Sequence, residues 1–223
     1  MKKKLSIVIL MVFLVTTLFA TAANAATGTA RVYYYTGGDA VGPGTTSTIN
    51  SYLTTMGYSS VRSANCGPSI VTLALSSSKV IHILAHGFKE SPTSKGGGLQ
   101  CVAGSADPAD WVWADNLSNS MSQAKLIFME ACYSGCTHPV RGRLDTTCRN
   151  LGAQSTIAFT SEITAGSDSD GIHYFAQRVY FYLSQGYNVN TSVINAKTNT
   201  VNKYGLYYGS DSCVVLGGTT TIS

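Results

Sequence analysis

The chain has 223 residues, 44% of them hydrophobic and 12% charged. That composition excludes a disordered chain and fits one compact domain with a short appendage. Its 22 Gly and 13 Tyr beside few charges suggest a polar but weakly charged surface, more typical of an extracellular protein than a cytosolic one. The formal charge of +4 includes Lys2, Lys3 and Lys4; without them 12 basic residues face 11 acidic ones, and no basic footprint for nucleic acid remains.

Met1 to Lys4 is a basic start, Leu5 to Ala20 a nearly unbroken apolar run, and Ala23-Asn24-Ala25 offers the small residues that signal peptidase reads. Residues 1–25 are therefore expected to be a secretory signal peptide, and residues 26–223 a single domain starting at Ala26. The apolar run is short for a membrane span and no stop-transfer segment follows it. No cysteine sits near the cleavage point, which argues against a lipid anchor. The mature form is expected to carry no membrane anchor and to be secreted, extracellular or periplasmic, folding in an oxidising compartment. All six cysteines, Cys66, Cys101, Cys132, Cys136, Cys148 and Cys213, lie in this part. Three disulfides would allow fifteen pairings, and one cysteine held as a thiol would leave at most two bridges. Cys136 and Cys148 bracket a loop containing Pro139 and Gly142, which makes them the first candidate pair.

Along the mature chain, Ala30 to Tyr35 reads as a strand, and the Gly/Pro/Thr-rich stretch from Gly37 to Thr46 as a loop feeding a helix around Thr48 to Met56. A strand near Ser60 and a helix near Ser69 to Leu75 follow. Lys79 to Ala85 is a nearly continuous apolar run, as expected of a strand covered on both faces, and it ends in His86-Gly87. Gly96 to Gly98 and Gly104 to Pro108 frame a loop and small hairpin, and Ala114 to Met121 is predicted helical. Lys125 to Met129 is a second covered strand, ending in Glu130-Ala131-Cys132. After a loop come a helix at Leu144 to Leu151, a strand at Ser155 to Thr160, helices at Gly171 to Leu183 and Val193 to Asn202, and a last short strand at Cys213 to Leu216. This alternation predicts an α/β fold, a three-layer αβα sandwich with a mainly parallel sheet.

Two covered strands that end in a histidine and a cysteine place both residues at the carboxyl edge of the sheet, where ligand crevices of open parallel sheets lie. A thiol is a strong nucleophile once deprotonated. A nearby imidazole can promote the thiolate and later protonate a leaving amine. Glycine at position 87 suits a turn whose N–H must approach a substrate carbonyl oxygen.

The segments Val80 to Gly87 (VIHILAHG) and Leu126 to Gly135 (LIFMEACYSG) resemble the caspase-like cysteine peptidases, the clan of caspases, legumains, gingipains, clostripain and metacaspases. The Glu-Ala-Cys-x-Ser-Gly turn is especially similar to legumain-type and bacterial members. The strand and helix order extends the likeness loosely over residues 30 to 185. The resemblance implies a caspase-like fold, Cys132 as nucleophile, His86 as general acid/base, and the backbone N–H groups of Gly87 and Cys132 as the oxyanion hole. The expected path is attack on the peptide carbonyl of a protein or peptide substrate, an acyl-enzyme thioester, and hydrolysis.

Within that clan the side chain before the cut dominates specificity. Its pocket would draw on Ser161 and Glu162 after the following strand, and on Asp168 and Asp170 beyond. Acidic residues there would pair with Arg or Lys, as the likeness to gingipains and clostripain implies; the same aspartate run can equally be a loop capping the next helix. Cleavage after Asn is the alternative, because Glu130 matches a pocket-lining glutamate of legumains. No cofactor is expected to be required. Calcium would have to use the closely spaced aspartates, which lack the twelve-residue loop with a closing glutamate. Relatives are often cut after the nucleophile, and Arg141-Gly142-Arg143 would be the place for self-processing, against the plainer reading of a polar loop.

Three rival readings remain. A zinc site could use His82, His86, His138 and Cys132, but His82 and His86 in one strand lie about 13 Å apart at roughly 3.3 Å per residue. His82 reads better as a core histidine and His173 as an ordinary helix residue. A serine hydrolase built on Ser134 lacks the glycine two residues earlier that its elbow needs. A secreted interaction domain could keep the fold without catalysis.

Overall fold

The computed structural model describes residues 27–36, 42–87, 96–102, 105, 107–164, 171–205 and 209–223. The signal-peptide stretch, Asp168 and Asp170 lie outside them. Six strands form the central sheet: β1 (Gly28–Tyr34), β2 (Tyr58–Ala64), β3 (Val80–Leu84), β6 (Leu126–Glu130), β9 (Thr156–Phe159) and β10 (Cys213–Leu216). Two short hairpins, β4 (Leu99–Gln100) with β5 (Trp111–Val112) and β7 (Thr137–His138) with β8 (Gly142–Arg143), stand outside it. The sheet order is β10-β9-β6-β3-β1-β2, parallel throughout except for β10, which runs antiparallel on the edge beside β9.

Strand side chains alternate between two apolar layers, as a period of two requires. Val80 of β3 with Leu126 and Phe128 of β6 face the first layer, while Ile81, Ile83, Ile127 and Met129 face the second. The first is closed by α1 (Pro43–Thr55), α4 (Gly171–Ser184) and α5 (Val189–Tyr204), and the second by α2 (Pro68–Ser77) and α3 (Leu144–Asn150). In α4 the buried positions Ile172, Phe175, Ala176, Val179, Tyr180 and Leu183 follow the i, i+3, i+4, i+7 spacing of one helix face. Each large side chain buried there contributes about 1.5–3 kcal/mol against exposure. The result is the expected α/β arrangement, with helices on both faces of a mostly parallel sheet.

Two local expectations fail. The helix predicted over Ala114 to Met121 is only a 3-10 turn at Ala114–Asn116. The Asn116 side chain accepts the Trp113 N–H (3.2 Å) and the Ser120 hydroxyl accepts the Ser122 N–H (3.4 Å), so polar side chains compete with helical bonds. The loop expected after Cys132 contains the β7–β8 hairpin, whose turn is tied by His138 Nδ1 accepting from the N–H groups of Val140 (3.1 Å) and Arg141 (3.0 Å).

The strand order reverses between β1 and β3: the chain goes outward from β1 to β2, then crosses to β3 and proceeds to β6, β9 and β10. Such a reversal is where open parallel sheets place ligand crevices, beyond the carboxyl ends of the strands.

Candidate active site

β3 and β6 are direct neighbours in register, Leu84 opposite Glu130, and the ladder continues one step beyond the strands with Ala85 N–H donating to Glu130 C=O at 3.2 Å. The next residues are His86 and Cys132, so the two sequence motifs meet at one rim. Gly87 packs directly on the Cys132 backbone. A Cβ at position 87 would fall 1.6 Å from the Cys132 carbonyl oxygen and 2.8 Å from its nitrogen, which excludes every residue but glycine. From the other side β4 holds this turn: Gln100 N–H donates to His86 C=O (3.0 Å), and Gly87 bridges Leu99. Among the described residues, neither the Gly87 nor the Cys132 N–H donates to a backbone carbonyl, as an oxyanion site needs.

The His86 side chain is exposed and the Cys132 side chain half-buried. The thiol's hydrogen bonds go to Ile163 rather than to the imidazole: Ile163 N–H donates to Sγ at 3.4 Å and Sγ donates to Ile163 C=O at 3.6 Å. Burial pushes the thiol above its ordinary pKa, the Ile163 backbone pulls it partly back, and the nearby Glu162 carboxylate adds to the rise.

The turn that presents Cys132 is braced at each step. Tyr133 adopts a left-handed φ of 57°, and its N–H donates to Ser161 C=O (3.0 Å). Gly135 N–H donates to Phe159 C=O (2.8 Å). Ser134 is fully buried; its hydroxyl donates to Met129 C=O (3.0 Å) and accepts from Phe159 N–H (3.1 Å), joining β6 to β9. This disposes of Ser134 as a nucleophile and gives it a structural task.

Beneath the rim lies a cluster that the sequence did not disclose. Glu130 is wholly buried, with one carboxylate oxygen 2.6 Å from His173 Nδ1 and the other 3.2 Å from His82 Nε2. The second contact falls outside hydrogen-bond alignment. Burial works to raise the Glu130 carboxyl, but the charge and hydrogen bond of His173, reinforced by His82, outweigh it and hold the carboxyl at about 2. The expectation that Glu130 lines a substrate pocket is thereby corrected: its carboxylate is consumed by two imidazoles and reaches no surface. His82 is the core histidine expected, whereas His173 is a partner of Glu130 rather than an ordinary helix residue. Its place on the buried face of α4, three residues before Ala176 and seven before Tyr180, was the available signal.

Of the other pocket candidates, Ser161 is half-buried with its hydroxyl turned to the Glu162 C=O (3.0 Å), and Glu162 is exposed beside the thiol. No disulfide joins the six cysteines, and the proposed Cys136–Cys148 bridge is absent. Cys136 Sγ donates to Thr160 C=O (3.2 Å) at the end of β9, whereas Cys148 is buried under α3 in the second layer. Arg141 lies against Asp115 (3.3 Å) and over the Trp113 ring (4.8 Å), and Arg143 grips Asp145 through two bonds of 2.7 and 2.8 Å. Among the described residues no three His, Cys, Asp or Glu side chains gather as metal ligands, and no helix is long and apolar enough to cross a membrane. No protein-family model and no curated protein matches the chain.

Proposed function

We propose that the chain is a secreted cysteine endopeptidase of caspase-like fold, with Cys132 as nucleophile and His86 as general acid/base. The observation that carries this reading is the seating of Gly87 on the Cys132 backbone, which brings the His-Gly turn of β3 to the tip of β6, one strand from the reversal of strand order between β1 and β3. In the reaction the Cys132 sulfur, its proton passed to His86, attacks the substrate carbonyl. The Gly87 and Cys132 N–H groups receive the developing oxyanion. His86 returns the proton to the leaving amine as the C–N bond breaks, and water, deprotonated by His86, then cleaves the thioester to release the acid.

The preference favoured is for Arg or Lys before the cut. Glu162 is exposed next to the thiol and available to a cationic side chain, while Glu130, on which cleavage after Asn depended, is buried and paired. The test is a peptide library varied at the residue before the cut, run in reducing buffer on wild type, Cys132→Ala and His86→Ala. Turnover after Arg or Lys that both substitutions abolish is expected. Turnover after Asn would reverse the preference, and no turnover by wild type would leave a non-catalytic interaction domain.

A further inference from the structure

Glu130 is the last residue of β6, two before Cys132, and its two histidines reach it from different elements. His82 belongs to the neighbouring strand, so that contact is internal to the sheet. His173 stands in the first turn of α4, and that turn is bonded to the segment that meets the thiol. Ile172 N–H donates to Thr164 C=O at 3.4 Å. Ile163, immediately before Thr164, holds Cys132 Sγ between its own N–H and C=O. Two residues further back, Ser161 C=O accepts the Tyr133 N–H. Ile163 of the segment 161–164 therefore lays its backbone against the sulfur, on the ground that a substrate carbonyl would have to occupy.

A buried carboxylate loses its hydration, and a hydrophobic residue of similar volume would not incur that cost. What Glu130 supplies that such a residue could not is a directional tie between β6 and the first turn of α4. We propose that the Glu130–His173 contact is a positioning device that fastens the 161–164 segment over Cys132, keeping the nucleophile capped until the segment is displaced. As regulation of a peptidase this rests on the function proposed above; the cap itself does not.

The test is alkylation of the intact protein by iodoacetamide, with each cysteine followed by peptide mass spectrometry. Cys148 is buried in the second layer, away from the segment, and reports global opening. In Glu130→Gln, Cys132 is expected to label at least about tenfold faster than in wild type when normalised to Cys148, the factor that losing one charge-assisted hydrogen bond carries. His82→Gln weakens the carboxylate's other contact and the edge-on packing of His82 on Tyr180 of α4 (5.6 Å) while leaving the His173 contact in place, and is expected to leave that ratio near wild type. If Glu130→Gln does not fold, His173→Gln reads the same ratio. A Cys132 rate that stays at the wild-type value, that rises only in step with Cys148, or that rises equally in His82→Gln overturns the proposal. Labelling needs no turnover, so selective uncapping in a protein that cleaves no peptide refutes the peptidase and leaves the cap standing.

Discussion

Replacing Glu130 by Gln removes a buried charge while keeping shape, and the structure sets the size and the pH dependence of the loss. Burial opposes ionisation of this carboxyl, yet His173 and His82 bring it down from 4.5 to about 2 in the folded protein. That displacement corresponds to about 3 kcal/mol of stability at neutral pH. Because the folded value is the lower one, the contribution is complete above about pH 5, roughly halved near pH 3 and nearly gone at about pH 2. Glu130→Gln, an isostere of the protonated acid, should therefore be about 3 kcal/mol less stable than wild type at pH 7, or roughly 6–12 °C lower in Tm for a domain of this size. The gap should close as the pH falls through that window. Urea titrations followed by fluorescence of the buried Trp111 and Trp113 at a series of pH values measure it. A gap that stays constant down to about pH 2, or that is absent at pH 7, would refute the assignment of Glu130 as an ionised partner of the two imidazoles.

Ser134→Ala leaves the Met129 carbonyl and the Phe159 N–H without the hydroxyl that joins them, and should cost about 1–3 kcal/mol in a urea titration; an unchanged midpoint would deny the bracing role. Gly87→Ala puts a methyl into the Cys132 backbone, so both Tm and peptide turnover should fall, and a variant that keeps both would contradict the packing. Since burial raises the Cys132 thiol above its ordinary value of 9.0, its alkylation in the capped wild type should still be climbing at pH 9. A plateau near neutrality would mean a preformed thiolate.

Period and composition were enough for the sheet and most helices. The five-residue apolar cores of β3 and β6 are buried on both faces, and α4 announces itself through residues 172, 175, 176, 179 and 183. The same alternation placed His86 and Cys132 at one rim. What escaped depended on partners far apart in sequence. His173 and Glu130 are separated by 43 positions, and a burial pattern names the face of a helix but not the charge that waits across it. The β7–β8 hairpin has no alternating apolar residues to betray it; it is held by one imidazole accepting two N–H groups. Glu130 was misread for a related reason: its place in the Glu-Ala-Cys motif resembles a pocket-lining glutamate of legumains, and the motif does not show the imidazoles that meet it.

The two imidazoles also bear on the nucleophile. Two residues along a strand is about 6.6 Å, and an uncompensated carboxylate at that distance would disfavour a thiolate by about 2–3 kcal/mol at an effective dielectric constant near 20. Such a penalty would defeat a cysteine nucleophile. The influences on the Cys132 thiol are burial, the Ile163 backbone, Glu162 and the thiol's own backbone N–H. The two Glu130 oxygens are turned to His173 and His82 rather than to the rim. The carboxylate can then serve as a tie to α4 without opposing the chemistry proposed at the rim. Glu162, by contrast, is exposed and unburdened by an imidazole partner, so its effect on the thiol is open to cancellation by a substrate cation. If the proposed preference holds, a basic side chain arriving beside Glu162 would do two things at once: it would bind, and it would offset one of the influences that raise the Cys132 thiol.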